Sequence, residues 1–414
     1  MKITLINTYD IQGGAAIATY RLHNGLLGVG VNSNLLVQYK HSDDFTVVSS
    51  KTKIEKIFAY LRPYFDALIT ITYKNKKHGL FSTAIVPDFL LKKITKLKPE
   101  LVHLFWVTGG FLKIETLQKI NVPIVWTLHD MWPMTGGCHY DDECRKFQSE
   151  CGNCPILNSG KEHDLSFRIL KRKTKSWADI PIVVVATSHW LADMAKTSAV
   201  FKHKKIVVIP NGIDTQKYKP INKQVAREAW GLPLEKNLIL FSAFSATSDK
   251  RKGNQYLVPA IEQLSKEGWG DNTELVVIGA SKPETPVDVG MKIHYVGNLG
   301  DEISQVLLYS AVDATVAPSM QENLSNTVME SLACGTPVVA FDIGGMPDLI
   351  NHQHCGYLAK PFEIDDLAAG IKWVLGDNIR RQALSVAARQ SVITKYALDK
   401  VANQYRDLYL DILK

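Results

Sequence analysis

Residues 314–348 read ATVAPSMQENLSNTVMESLACGTPVVAFDIGGMPD. Ala314–Ala317 is a short β-rich run that Pro318 ends, and Ser325 to Thr327 supply helix caps, with Glu330 three residues after Thr327. Gly335 and Pro337 stop the helix, and Val338–Phe341 resumes as a strand. Strand, loop, helix, turn and strand in this order make a parallel βαβ unit. Two carboxylates result, Glu322 in the loop after the strand and Glu330 in the helix. In an open parallel sheet, ligands sit outside the carboxyl ends of the strands. The pair is therefore placed to meet the hydroxyl groups of a ribose or a hexose. Spacing alone equally allows a capping Glu330 and a solvated Glu322.

The same alternation extends in both directions. Ile3–Ile6, Ser33–Val37, Leu101–Leu104, Ile124–Leu128 and Ile182–Ala186 read as the strands of a first sheet. Ile206–Ile209, Leu238–Phe241, Glu274–Ile278, Ile293–Val296, Ala314–Ala317 and Val338–Phe341 read as a second. Pro210, Asn211, Gly212 and Pro220 punctuate the join. The fold class is α/β, with two doubly wound, Rossmann-like domains facing a cleft, residues 1–205 and 206–392.

Bulk properties agree with that reading. The chain has 414 residues, 46% hydrophobic and 21% charged, enough for two cores. Met1 to Asp10 reads as a first strand and is too short for a signal-peptide core. No apolar stretch approaches the roughly 18 residues of a membrane span, so the expected location is cytoplasmic. The net charge is +7, and Lys51 to Lys98 alone carries eleven Lys and Arg against Glu55, Asp66 and Asp88. Within it Ile54, Ile57, Phe58, Leu61, Phe65 and Leu68 recur at helical spacing, with Pro63 as a kink. A basic amphipathic helix suits an anionic bilayer, here the inner face of the cell membrane. The competing reading buries the apolar face in the core and leaves the basic face solvated. No helix-turn-helix, zinc-finger or aromatic RNA-binding signature accompanies the charge, which argues against nucleic acid.

Three further motifs lie at strand ends. Gln12-Gly13-Gly14-Ala15-Ala16 follows the first strand, and glycines there let backbone amides approach a phosphate at a helix N-terminus. Lys250-Arg251-Lys252-Gly253 follows Leu238–Phe241, and Thr127-Leu128-His129-Asp130 closes a strand of the first sheet. A tight turn, a surface basic cluster and a structural histidine are the respective plain alternatives.

Taken together, these residues resemble the retaining glycosyltransferases of family 4, which have the GT-B fold and an E-x7-E signature. The likeness runs through Glu322 and Glu330 and on through Ala333-Cys334-Gly335-Thr336-Pro337-Val338-Val339 and Gly344-Gly345. It implies a retaining, metal-independent transfer of a hexosyl-type sugar from a UDP- or GDP-sugar to a saccharide or lipid-linked saccharide in cell-surface polysaccharide assembly. By the same resemblance Glu330 binds the donor ribose, and Glu322 with the loop amides at Asn323, Leu324 and Ser325 meets the donor sugar. Gly13 and Gly14 contact the diphosphate, Lys252 clamps it, and His129 lies beside the transferring sugar. Asn211-Gly212-Ile213-Asp214 and Ser188 match joint positions, and a C-terminal helix, residues 393–414, packs back on the first domain. Two departures stand out. The loop reads Glu322-Asn323-Leu324-Ser325 where many members have Glu-Gly-Phe-Gly, and the usual clamp Arg is Ala246, which leaves Lys250 or Arg251 to substitute. Another GT-B enzyme, such as a phosphorylase or an epimerase, or a non-catalytic nucleotide-sugar-binding protein is the alternative.

Cys138, Cys144, Cys151 and Cys154 are spaced C-x5-C-x6-C-x2-C, apart from Cys334 and Cys355. Structural zinc, disulfides and free thiols all fit that spacing, with His139 as an alternate zinc ligand. No cofactor is expected for the transfer itself.

Overall fold

The computed structural model describes every residue except 51, 78, 243–248, 280–281 and 283–287. Ala246 lies outside the described residues. The chain divides into two compact units, Met1–Gly212 with Asp399–Lys414, and Ile213–Leu398.

In the first unit the strands are β1 (Lys2–Tyr9), β2 (Asn32–Tyr39), β3 (Val47–Val48), β4 (Leu101–Leu104), β5 (Ile124–Leu128), β6 (Ile182–Ala186) and β7 (Lys205–Val208). They form one parallel sheet in the order β3-β2-β1-β4-β5-β6-β7. The inner strands are apolar on both faces, as a sheet covered by helices on both sides requires. One face packs against Ile94, Leu117, Ile169 and Leu191. The other packs against Leu22 and Leu26 of the helix Gly14–Gly28 and against Val401, Tyr405 and Tyr409 of the C-terminal helix Leu398–Leu413. That helix is anchored by hydrogen bonds from fully buried side chains: His103 Nδ1 to the Tyr409 hydroxyl at 2.6 Å and Thr127 Oγ1 to the Tyr405 hydroxyl at 3.0 Å.

The second unit holds β8 (Asn237–Ser242), β9 (Thr273–Ile278), β10 (Ile293–Gly297), β11 (Ala314–Ala317), β12 (Val338–Phe341) and β13 (Gly356–Ala359), in the order β10-β9-β8-β11-β12-β13, all parallel. Buried Val328, Met329 and Leu332 of the helix Asn326–Ala333 cover one face, and Leu257, Ile261, Leu367 and Ile371 cover the other.

The structure departs from the sequence reading at four points. Ile206–Ile209 belongs to the first sheet, not the second, because β7 pairs in register with β6, Ala186 opposite Val208. The first unit consequently runs to Gly212, and only the chain from Asp399 returns to it, because the helix Asn378–Lys395 buries Leu384, Ala388 and Val392 in the second unit. Two edge strands, β3 and β13, carried too little apolar pattern to be read. Pro63 sits within the helix Lys53–Ala67, which continues past it.

Candidate active site

Each sheet reverses its winding once, between β1 and β4 in the first unit and between β8 and β11 in the second. At such a switch point the two neighbouring loops diverge and leave a crevice at the carboxyl edge. In the second unit those loops carry Lys252, after β8, and Glu322, after β11. The structure joins them: Lys252 Nζ donates to Glu322 Oε2 at 2.8 Å, both side chains partly buried.

The glycines explain how the loops come so close. Gly253 has φ +78°, and a Cβ there would overlap the carbonyl oxygen of Pro318 at the end of β11. Met320 N donates to Arg251 O at 2.8 Å across the same seam. Gly344 has φ +52°, and its missing Cβ leaves room for the carbonyl oxygen of Glu322, which also accepts from Gly345 N at 3.2 Å. The Gly344-Gly345 pair thus supports the Glu322 backbone from behind.

Ser325 caps the helix Asn326–Ala333, its hydroxyl accepting from Val328 N, so the cap stands two residues before Thr327 and the Thr327–Glu330 box is not formed. Glu330 instead lies in the helix interior, 5% exposed, and its Oε2 accepts from the Tyr309 hydroxyl at 3.2 Å. Asn323, Leu324 and Ser325 are buried, and Leu324 packs in the core. Any contact of Leu324 with a ligand therefore falls to its backbone. Arg251 is turned to Asp249, Nη2 to Oδ2 at 2.7 Å. Burial opposes ionisation of Asp249, but the Arg251 hydrogen bonds and charge prevail and lower its pKa.

In the first unit Gly13 has φ +91° and precedes the helix Gly14–Gly28, with open space where a Cβ would stand. His129 follows β5 and stacks on Phe105 at 5.9 Å between centroids. It borders a small void with Thr127, Asn211 and Gly212. Part of the residue reaches the surface, yet its ring is enclosed by protein, and this desolvation pulls its pKa down to about 4 against the opposing charge of Asp130. Asp130 accepts from Trp106 Nε1 at 2.7 Å, Trp132 N at 2.9 Å and His139 Nδ1 at 2.6 Å. Ser188 caps the helix His189–Thr197.

Sequence reasoning missed several residues here. Tyr309 reaches Glu330 from a helix, Asp249 orients Arg251, and Trp106 sits in the loop after β4 at the first switch point, its N–H bonded to Asn7 Oδ1 at 2.8 Å. None follows from spacing; only the strand order would have singled out Trp106. A separate cavity of about 590 Å³ opens at the amino edge of the second sheet, beside Lys223, Asp313 and Arg381, away from Lys252 and Glu322. Among the described residues no three His, Cys, Asp or Glu side chains are grouped to hold a metal ion. No helix among them is long and apolar enough to cross a membrane.

Comparison with known proteins covers both units. The family described as glycosyl transferases group 1 matches residues 222–391, and glycosyltransferase family 4 matches residues 12–217. An uncharacterised glycosyltransferase of Methanocaldococcus jannaschii is 28% identical over 50% of this chain, and the match spans only 54% of that protein's length. WcaC of Escherichia coli K12, a glycosyl transferase named for colanic acid biosynthesis, is 26% identical over 82% of this chain and 83% of its own. Among solved structures, sucrose-phosphate synthase of Thermosynechococcus elongatus superposes with a TM-score of 0.71 at 20% identity, covering 100% of this chain and 99% of that one. Anabaena HepE in complex with UDP-glucose gives a TM-score of 0.65 at 16% identity, covering 99% and 100%. Two parallel-sheet Rossmann-like domains are shared with these GT-B structures.

Proposed function

Because this chain is a glycosyltransferase of the GT-B, family 4 type, we propose that it works in polysaccharide biosynthesis, transferring a hexosyl-type sugar from a nucleoside-diphosphate donor with retention of anomeric configuration. The acceptor is a saccharide or lipid-linked saccharide of the cell surface. The observation that carries this reading is the Lys252–Glu322 pair, 2.8 Å apart at the switch point of the second sheet.

Breaking the anomeric C–O bond leaves positive charge on the sugar and negative charge on the departing diphosphate. Lys252 supplies the cation for the diphosphate, where preorganised charge lowers the barrier most. Arg251, one residue away, is the replacement for the clamp arginine that position 246 lacks. Glu330 takes the ribose hydroxyls, with Tyr309 steadying its carboxylate. Glu322 and the loop amides of Asn323, Leu324 and Ser325 take the donor sugar. His129, neutral above about pH 4, serves as a hydrogen-bonding partner of the sugar rather than as an acid. The acceptor hydroxyl attacks from the leaving-group side and gives its proton to the leaving phosphate, so neither glutamate is the nucleophile. HepE was solved with UDP-glucose, which supports a nucleoside-diphosphate sugar as donor, and WcaC is named for colanic acid biosynthesis, which supports the acceptor class.

The helix Lys53–Ala67 supports a lipid-linked acceptor. Its buried residues are Ala59, Arg62 and Asp66, while Ile54, Ile57, Phe58, Tyr64 and Phe65 face outward. Arg62 Nε donates to Gly110 O at 2.7 Å, and Asp66 Oδ2 accepts from Thr83 N at 3.0 Å. The helix is thus inverted, with polar groups inside and apolar groups outside, in the most basic part of the chain. An anionic bilayer surface satisfies both features.

Incubation with a panel of UDP- and GDP-sugars, reading release of the nucleoside diphosphate and the anomeric configuration of the product, tests the reading. Retention with one donor is the expected result. Inversion, a requirement for free phosphate, or binding without turnover would each replace it.

A further inference from the structure

The second unit carries positive charge that the proposed transfer does not use, at the end of the sheet opposite Lys252 and Glu322. Asp313 stands just before β11, after the helix Glu302–Ala311, and is 3% exposed. Its Oδ2 points into the fold, accepting from Arg227 Nη2 at 2.7 Å and from Leu238 N at 2.8 Å. Arg227 is buried as well and directs its other N–H groups to the carbonyls of Ala311, Pro233, Leu234 and Lys236. This carboxylate and this guanidinium match each other, as buried charges must.

Two further cations stand at the other oxygen. Lys223 Nζ lies 2.8 Å and Arg381 Nη1 3.7 Å from Asp313 Oδ1. Three cations face one carboxylate, which leaves two positive charges unmatched. The unmatched pair is also the accessible one: the Lys223 side chain is 45% exposed and that of Arg381 20%, against 5% for Arg227. Nearby carbonyls do not absorb the charge, because Ala333 O accepts from Arg389, Leu332 O from Gly335 N and Tyr309 O from the Thr336 hydroxyl.

Lys223 and Arg381 both line the cavity of about 590 Å³ at the amino edge of the sheet. On the helix Asn378–Lys395, Asn378, Gln382 and Ser385 add hydrogen-bonding groups to its wall, and Ile221, Pro337 and Val386 add apolar surface. Asn378 Oδ1 accepts from Arg381 Nη2 at 2.7 Å, which leaves the amide nitrogen to donate. Small-molecule pockets measure roughly 300–1,000 Å³. This one is of that size, and far larger than a lone phosphate ion.

We propose that the cavity binds a small phosphate ester, its phosphoryl group bridging Lys223 and Arg381 and its organic part lying along Ile221, Pro337 and Val386. A phosphate monoester carries about −1.5 to −2 charges at pH 7, which matches the two unpaired cations, whereas a carboxylate would leave one of them over. Because both cations approach the same carboxylate oxygen, one phosphoryl group spans them, with the planar Arg fork on one side and the Lys point charge on the other. The site lies at the opposite edge of the sheet from Lys252 and Glu322, so this inference stands apart from the proposed function.

Calorimetric titration of the full chain with phenyl phosphate, inorganic phosphate and phenol is the test. Phenyl phosphate is expected to bind saturably, more tightly than inorganic phosphate, and phenol not to bind. Lys223→Ala and Arg381→Gln should each weaken the ester at least about tenfold, while Lys252→Ala leaves its affinity unchanged. Arg227 keeps Asp313 paired in both cavity variants. Should Arg381→Gln still fail to fold, because Arg381 also holds Asn237 and Asn378, acetylation of the wild-type chain decides alongside Lys223→Ala. Phenyl phosphate should slow modification of Lys223 and leave exposed Lys196 unaffected. Affinity lost in Lys252→Ala and kept in Lys223→Ala would assign the phosphate to the other edge of the sheet and overturn the proposal. So would inorganic phosphate binding as tightly as the ester, or no saturable binding at millimolar ester.

Discussion

Lys252 Nζ and Glu322 Oε2 stand 2.8 Å apart although 70 residues of chain separate them. Two loops at a sheet's switch point bring them together, and Gly253 and Gly344 remove the Cβ atoms that would keep the backbones apart. In the proposed transfer this places the cation that a departing diphosphate needs before a donor arrives, which would spare reorganisation during the reaction. Lys252→Ala is expected to lower kcat/KM about 10²–10³-fold, the usual loss for one preorganised charge. Glu322→Ala should cost a comparable factor. Both side chains are partly solvated, so the melting temperature should move by only a few degrees at most. Wild-type kcat/KM in both variants would show that the pair is not part of the site.

Glu330 gives a different signature. It is buried in the helix Asn326–Ala333 and held by the Tyr309 hydroxyl at 3.2 Å. A carboxylate on ribose hydroxyls acts equally in the ground and transition states, so its loss raises KM and leaves kcat nearly unchanged. Glu330→Gln keeps the shape and the Tyr309 contact while removing the charge. A hydrogen bond to a charged group is worth about 1.5–3 kcal/mol, so the donor KM should rise about 10- to 150-fold. Tyr309→Phe should raise it several-fold. Steady-state kinetics with varied donor separates the cases. A fall in kcat at constant KM would place Glu330 at the reacting bond instead.

The fold was legible because βαβ units repeat a strong pattern. Apolar runs such as Val125-Trp126-Thr127 and Val338-Val339-Ala340, buried on both faces, can be read without tertiary information. The edge strands β3 and β13 could not, because β3 is only two residues long and β13, Gly356–Ala359, opens on a glycine and is half-buried at its two central positions. The placement of Glu322, Lys252 and the glycine pair 344–345 in loops at strand ends was legible from the flanking strands and turn residues. The contacts that position them were not. Tyr309 reaches Glu330 and Trp106 reaches Asp130 from other elements, each within its own unit, and Asp249 turns back onto Arg251; these partners are set by packing. The inverted helix Lys53–Ala67 shows the same limit. Its periodicity was plain, but whether the apolar face points in or out is decided by Arg62 and Asp66, whose partners are Gly110, Pro87 and Thr83.

That inversion makes a prediction. Ile57 is 60% exposed and Phe58 54%, so replacing them forfeits little burial within the fold. The double variant Ile57→Ser, Phe58→Ser should keep the wild-type melting temperature and lose binding to vesicles containing anionic lipid. Salt should weaken the wild-type interaction, because the lysines contribute through screened charge. Flotation of wild-type protein and variant on anionic and neutral vesicles is the measurement. Equal recovery of wild-type protein with both vesicle types would end the membrane reading and leave the sugar-transfer site untouched.

Buried histidines set how stability depends on pH. His23 is fully enclosed, with Nδ1 2.8 Å from Ser33 Oγ and Nε2 2.7 Å from Thr46 Oγ1. Burial draws its pKa to about 4, although Asp44 opposes the shift. His103, equally buried between the Tyr409 and Thr127 hydroxyls, is pulled well below the usual histidine value by burial and then by His129. The native state keeps both rings neutral, whereas the unfolded chain protonates them at about pH 6.5. Between about pH 6.5 and 4 the unfolded state therefore binds more protons, and the native state loses stability as pH falls. Each histidine contributes a slope of about 1.4 kcal/mol per pH unit well inside that window. Asp10 and Asp313, whose pKa values are lowered, lose their contributions only below the ordinary carboxylate range and do not overlap it. Urea unfolding at pH 7.5, 6 and 5 is the measurement, followed by tryptophan fluorescence, to which the fully buried Trp126, Trp132 and Trp177 of the first unit contribute; both histidines belong to that unit. The midpoint should fall steeply between pH 6 and 5. His23→Gln should lower stability at pH 7.5 and flatten the fall between pH 6 and 5 by the share of one proton. A midpoint constant from pH 7.5 to 5 would mean that the rings take up protons without leaving the folded state.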